Sequence, residues 1–268
     1  MKLGFIGAGN MAGAIIKGFI NKNCVNSSYI YFIRQNKEKQ AQQAKELGIN
    51  GCDDYDSLIE NSDILFLGVK PVVFPTLLPQ IAKSVKKKNP LVVSMAAGLT
   101  TDSIREMLGY DAKIIRIMPN VNAAIAMSTT AVCKNEFASD EDLATIKNLF
   151  STIGLTTEVP ENQFAIFTAI AGCSPAYVYM FIDGLARGAQ KMGMNKQKAL
   201  EIAASAVIGS ASMYAQSNEH PQELVDKVCS PGGTTIEGVT TLEEYKFTAG
   251  VVKAVENSIL KDRELSKK

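Results

Sequence analysis

A chain of 268 residues holds enough material for one large domain or two ordinary ones, and 46% hydrophobic against 21% charged residues places it among globular rather than disordered proteins. With 28 Lys and Arg set against 27 Asp and Glu, no nucleic acid or other polyanionic partner is expected. The opening MKLGFIGAGNMAG lacks the apolar stretch of a secretion signal, and no segment is expected to span a membrane. Five cysteines lie scattered without CxxC spacing, so free thiols in a reducing cytoplasm are expected and a metal site is not.

Taken in chain order, residues 3–7 form a short apolar run ending in glycine, and residues 12–20 carry apolar side chains at helical spacing. Further apolar runs at 29–33, 64–69, 91–95 and 113–118 read as strands, separated by amphipathic segments at 37–48, 74–86 and 101–108. Continuous apolar strands interleaved with helices predict a parallel sheet covered on both faces, with right-handed crossovers. Two more strands are expected at 129–133 and 156–159, flanking a helix at 140–150. After Pro160 the strand signals stop. From residue 162 the chain is helical in period and rich in Ala, Gly and Ser, with apolar faces broad enough to bury against another subunit. The expected fold is therefore α/β: a Rossmann-type doubly wound domain over residues 1–160, then an all-α dimerisation and substrate-binding domain over 161–268.

Gly7-Ala8-Gly9-Asn10-Met11-Ala12 lies between the first strand and the first helix, the context in which GxGxxA binds a dinucleotide. Gly7 permits the tight turn, Gly9 lets the backbone approach a pyrophosphate, and Ala12 is small enough for helix-on-strand packing. At the end of the second strand, where NAD-preferring folds place an acid for the ribose 2′-hydroxyl, the chain reads Arg34-Gln35-Asn36-Lys37. Arg34, Asn36 and Lys37 would attract a 2′-phosphate, so NADPH is the expected cofactor, with NADH possible. Two further strand ends, Gly68-Val69-Lys70-Pro71 and Met95-Ala96-Ala97, should border the same crevice with small residues and free backbone groups. Lys70, held extended before Pro71, is given no proton-transfer role.

The single histidine, His220, precedes a short helix and reads as a capping residue, so the chemistry proceeds largely without imidazole. Ser230-Pro231-Gly232-Gly233-Thr234-Thr235 offers something else. Gly232 and Gly233 free the following N–H groups for an anion-binding nest at a helix start, and Ser230 and Thr234 add hydroxyl donors. A plain helix cap would need fewer glycines and threonines. Asn120, after Pro119 at a strand end, is expected to orient a nicotinamide or a substrate. Cys173 and Cys229 flank these motifs without a histidine near in sequence and read as packing thiols.

GFIGAGNMA, FLGVKP, SMAAGLT, RIMPN, TAIAGCSPAYVYMFIDGL and VCSPGGTTIEG occur in the order and spacing of the pyrroline-5-carboxylate reductases, a family the chain resembles along essentially its whole length. The resemblance implies reduction of L-1-pyrroline-5-carboxylate to L-proline with NADPH or NADH. It also implies helical domains that interlock into dimers, in many members assembled further into a ring of five dimers. For Thr235 it implies a hydrogen bond to the ring nitrogen, and for the Ser230–Thr234 nest a grip on the substrate carboxylate. The chain departs from the family pattern at Val121-Asn122-Ala123-Ala124-Ile125-Ala126, where a proline and a glycine usually follow MPN, and at Ala171-Gly172-Cys173-Ser174-Pro175 in place of SGSGP. A β-hydroxyacid dehydrogenase would need a lysine acid/base where TAIAGCSP stands, and none follows until Lys191. A non-catalytic NADP-binding regulator would lose the SPGGTT turn, which is intact. A reductase of another cyclic imine acid is the nearest variant.

Overall fold

Four consecutive apolar residues, Leu3–Ile6, make the first strand (β1), and all four are buried, as in a strand covered on both faces. The computed structural model describes residues 1–265. Among them β1 joins β2 (Ile30–Ile33), β3 (Asn50–Gly51), β4 (Ile64–Leu67), β5 (Leu91–Ser94), β6 (Ile114–Met118), β7 (Ser128–Lys134) and β8 (Gly154–Glu158) in one sheet of order β3-β2-β1-β4-β5-β6-β7-β8. Between them run α1 (Asn10–Asn21), α2 (Lys37–Leu47), α3 (Tyr55–Glu60), α4 (Phe74–Lys88), α5 (Thr101–Leu108) and α6 (Asp140–Ser151).

Successive strand residues point to opposite faces. Leu3 and Phe5 of β1, with Ile64 and Phe66 of β4, pack beneath α1 and α6. Ile6 of β1, with Leu65 and Leu67 of β4, packs against α3, α4 and α5. Phe5 and Phe66 stack with centroids 4.5 Å apart. Since β1 pairs with β2 on one side and β4 on the other, the strand order reverses beside it, and a crevice opens past the carboxyl ends of β1 and β4.

Three features differ from the expected pattern. β6 and β7 are antiparallel, with Arg116 opposite Cys133, because they are joined through a short 3₁₀ turn at Val121–Ile125 that cannot carry a parallel crossover. β3 and α3 were not expected; two and six residues are too short to show a period. The helical run Glu161–Lys191 is long and apolar enough to cross a membrane by length and composition, contrary to the sequence expectation.

The chain divides into two compact units, Met1–Gly172 together with the segment from Ile259, and Cys173–Ser258. The sequence expectation placed the domain boundary at 160/161, whereas residues 161–172 pack with the first unit. They form a 3₁₀ turn (Glu161–Gln163), α7 (Phe164–Phe167) and one π-helical turn (Thr168–Gly172). Phe164 is buried against Met118, Ala131 and Cys133. Arg116, itself buried, lies over the Phe164 ring at 4.5 Å and donates to Glu161 at 3.2 Å. The Glu161 carboxylate also accepts from the Thr101 N–H and hydroxyl at 2.8 and 3.0 Å. Glu161→Ala removes the carboxylate paired with a buried guanidinium and leaves it only its electrostatic interaction with Asp262, so urea unfolding is expected to show a loss of about 3 kcal/mol. A change below about 1 kcal/mol, the size of a surface pair, would mean that the network contributes little.

The second unit is built from α8 (Ser174–Lys191), α9 (Lys196–Gln216), α10 (Pro221–Val228), α11 (Thr234–Glu244) and the first part of α12 (Phe247–Leu265). Phe181 packs on Phe247, and the hydroxyls of Tyr177 and Ser258 meet at 2.6 Å. Many large apolar side chains of this unit stay exposed, Tyr179, Met180, Met213 and Val252 among them. Such a surface marks an interaction face rather than a finished exterior.

Candidate functional site

Gly7 follows β1 at φ +85, a conformation that L side chains avoid. A Cβ there would lie 2.8 Å from the Gly68 carbonyl oxygen, and one on Gly68 would lie 2.4 Å from the Gly7 oxygen and 3.0 Å from the Ala12 side chain. The ends of β1 and β4 therefore touch through their glycines, and Ala12 rests over the contact. Gly9 caps α1 with no side-chain hydrogen bond, and a Cβ on it would meet nothing within 4 Å. The uncapped first-turn N–H groups and the open space at Gly9 form the cradle that a pyrophosphate requires. Ala8 is buried beneath it, Asn10 is exposed, and Met11 packs toward the core.

The cradle continues into a cleft of about 550 Å³ lined by Ala8, Gly9, Asn10, Lys17, Arg34 and Lys39, with Gln43 beside them. Arg34 donates through Nη1 to Gln43 Oε1 at 2.8 Å. Asn36 and Lys37, expected beside Arg34, are engaged elsewhere. The Asn36 side chain caps α2 by accepting from the Lys39 N–H at 2.8 Å. Lys37 Nζ turns to the carbonyls of Cys52 and Asp53 at 3.3 and 3.1 Å. Lys17 and Lys39 went unnoticed in the sequence because helical lysines ordinarily belong to solvated faces; only the fold brings them to this cleft.

At the other strand ends the backbone is less free than expected. The Gly68 N–H donates to the Ile6 carbonyl at 2.8 Å, and the Ala96 N–H to Ser94 Oγ at 3.3 Å. Val69 and Met95 are partly buried against the two core layers, and Ala97 is exposed. Lys70 is exposed and extended, and Pro71 opens a 3₁₀ turn. Asn120 departs most from its expected role. Its Nδ2 donates to the Ala171 carbonyl at 2.9 Å and its Oδ1 accepts from Asn122 and Thr129. At 4% exposure it braces β7 against the π-helical turn, and little of it is left for a ligand.

On the second unit, Ser230-Pro231-Gly232-Gly233 folds as a tight turn with the Gly233 N–H donating to the Ser230 carbonyl at 2.9 Å and Gly232 at φ +67. Proline followed by a glycine of positive φ is the type II pattern. α11 begins at once with Thr234, again without a side-chain cap. Among the described residues the hydroxyls of Ser230, Thr234 and Thr235 have no hydrogen-bond partner, and all three residues are exposed. One turn further on, Thr240 and Thr241 donate theirs to the carbonyls of Ile236 and Glu237. The start of α11 thus presents uncommitted donors where the helix dipole favours an anion.

His220 caps α10, its Nδ1 accepting from the Gln222 N–H at 3.2 Å, as expected. Cys133 is no nucleophile: burial first, and then the Glu161 carboxylate, push its thiol up to about 12. Burial likewise raises Cys52.

Over 266 residues, 99% of this chain and 98% of the relative, the sequence is 41% identical to the pyrroline-5-carboxylate reductase of Escherichia coli (strain K12). The chain belongs to the pyrroline-5-carboxylate reductase family. Residues 161–265 match the model for pyrroline-5-carboxylate reductase dimerisation, and residues 2–98 that for NADP oxidoreductase, coenzyme F420-dependent. The crystal structure of Plasmodium falciparum pyrroline carboxylate reductase with NADP bound superposes with a TM-score of 0.89 at 29% identity, covering 99% of this chain and 98% of that one. The 1-pyrroline-5-carboxylate reductase of Streptococcus pyogenes does so with 0.89 at 38%, covering 98% of each. Within the reductase family, then, the dimerisation match begins at Glu161, twelve residues before the second compact unit.

Proposed function

We propose that this protein reduces L-1-pyrroline-5-carboxylate to L-proline with NADPH, the last step of proline synthesis. The observation that carries the reading is full-length similarity to a named pyrroline-5-carboxylate reductase, together with an intact SPGGTT turn whose hydroxyls are uncommitted. The residues present fit the cofactor: an uncapped helix N-terminus, a glycine whose missing Cβ leaves room for the phosphates, and an arginine beside them. When bound, NADPH supplies a hydride to the C=N carbon.

The chain's residues do the rest. A protonated cyclic imine is already electrophilic, so positioning and charge management suffice, and the capping role of His220 costs nothing. Ser230, Thr234 and the first N–H groups of α11 after Gly233 hold the substrate carboxylate. The Thr235 hydroxyl hydrogen-bonds the ring nitrogen and assists its protonation. Gly7, Gly9 and Ala12 shape the pyrophosphate cradle, Arg34 takes the 2′-phosphate, and the strand ends at Gly68–Pro71 and Met95–Ala97 flank the ribose and nicotinamide. Asn120 positions the turn around it rather than touching substrate.

The protein self-associates through the helical segment from Glu161, and a dimer is the form we propose, a ring of five dimers being the larger assembly that the family resemblance implies. The exposed apolar side chains of the second unit support it, and the apolar run Glu161–Lys191 then meets a second copy rather than lipid. Five free cysteines suit a reducing cytoplasm.

Cofactor oxidation followed by absorbance, with pyrroline-5-carboxylate and with the six-membered imine acid, each with NADPH and NADH, tests the reading. Fast turnover on the five-membered imine with NADPH is expected. Tight NADPH binding without turnover on either imine would point instead to a non-catalytic NADP-binding regulator.

A further inference from the structure

We propose that Gln43, with Lys39 and Lys17, sets the choice of NADPH over NADH by holding Arg34 as an unneutralised cation toward the 2′-phosphate. The inference rests on the dinucleotide reading above. Arg34, the first residue past β2, is held twice by α2: its N–H donates to Gln40 Oε1 at 2.8 Å and its Nη1 to Gln43 Oε1 at 2.8 Å. Gln40 is 6% exposed and anchored in turn, its Nε2 donating to the Cys52 carbonyl at 2.9 Å. Gln43 also reaches α1, its Nε2 lying 3.4 Å from where a Cβ on Gly13 would be. A neutral amide fixes the guanidinium plane without cancelling its charge, which a carboxylate at the same place would do.

The surrounding charges agree. Among the described residues Arg34, Lys17 and Lys39 form no ion pair, and all three line one cleft. Glu46 is the carboxylate among the lining residues, and it accepts from Gln42 at 2.8 Å. Lys37, closest to Arg34 in sequence among the lysines, pairs with Asp53 and does not line the cleft. Three cations against one carboxylate gain from a phosphate carrying nearly two negative charges, and gain nothing from a ribose hydroxyl. Lys17 and Lys39, the latter in the first turn of α2, supply the further cations for the phosphate, and Gln43 is a positioning residue.

Binding is followed by the reduced dinucleotide's own fluorescence, which is excited where no protein side chain absorbs. For Gln43→Glu, NADPH affinity is expected to fall at least about tenfold, the size of a lost charged hydrogen bond, with NADH affinity held within about twofold. Lys39→Gln should weaken NADPH alone and flatten its dependence on salt, while Lys37→Ala leaves both cofactors unchanged. Gln43→Leu, which removes the clamp without adding charge, should give a smaller NADPH-selective loss, and thermal melts verify that each variant is folded. Equal losses for both cofactors, or no loss at Gln43 and Lys39 in a protein that prefers NADPH, would overturn the clamp alone. Equal NADPH and NADH affinity in the unaltered protein would overturn the NADPH reading and the clamp together.

Discussion

Thr235→Ala is expected to lower turnover on pyrroline-5-carboxylate by more than about tenfold while leaving the NADPH dissociation constant unchanged. Thr235 stands in the first turn of α11 directly after the Gly232-Gly233 turn, and its hydroxyl is free where those of Thr240 and Thr241 are engaged by the helix backbone. A hydroxyl with no structural duty can be removed cheaply, so the fold should survive and the effect should fall on kcat. The loss arises because the ring nitrogen of the protonated imine regains a lone pair as hydride reaches the carbon, so a hydroxyl donating to it makes a stronger hydrogen bond in the transition state than before it. Thr235→Ser, keeping the hydroxyl, should recover most of the rate. Wild-type kinetics for Thr235→Ala would remove this residue from the reaction and leave the turn as a cap.

The two glycines of the dinucleotide loop should fail in opposite ways. Gly9→Ala introduces a Cβ that meets no protein atom within 4 Å, at a backbone φ of −71 that any residue adopts. Its melting temperature should barely change. The added methyl would occupy the space at the helix N-terminus where phosphate oxygens must come, so NADPH affinity should fall about a hundredfold, the equivalent of about 3 kcal/mol of charge-assisted hydrogen bonding. Gly7→Ala places a Cβ at φ +85 and 2.8 Å from both the Gly68 oxygen and Val69 Cγ1. Backbone strain of about 1–3 kcal/mol is joined there by a clash between two strand ends, and denaturant unfolding should report a loss of about 3 kcal/mol or more. If Gly9→Ala destabilised the protein and spared cofactor binding, the cradle would have been misplaced.

The contrast shows how far the chain could be read. Its loop glycines, its parallel strands and its SPGGTT turn were legible because each depends on local properties: a sign of φ, a run of apolar residues, a proline before a glycine. The helix at 74–86, the strand at 113–118 and the cap at His220 appear essentially where their patterns place them. The antiparallel β7 was not legible, since apolar content is the same for either direction and only the short turn at Val121–Ile125 decides it.

Side-chain partners were the hardest to foresee. Asn36, Lys37 and Asn120 carry suitable chemistry in suitable places, yet a helix cap, two carbonyls of a neighbouring loop and the Ala171 carbonyl claim them first. Buried polar groups must be satisfied, and which partner satisfies them depends on elements tens of residues away. The sequence by itself therefore determined the family, the order of elements and the two glycine-bearing turns, all of which rest on neighbours in the chain. Tertiary structure alone decided that Arg34 is held by Gln43, that Lys17 and Lys39 share its cleft and that Arg116 is buried against Glu161. Those pairings arise from strand order and helix packing, which bring together residues that no local pattern relates.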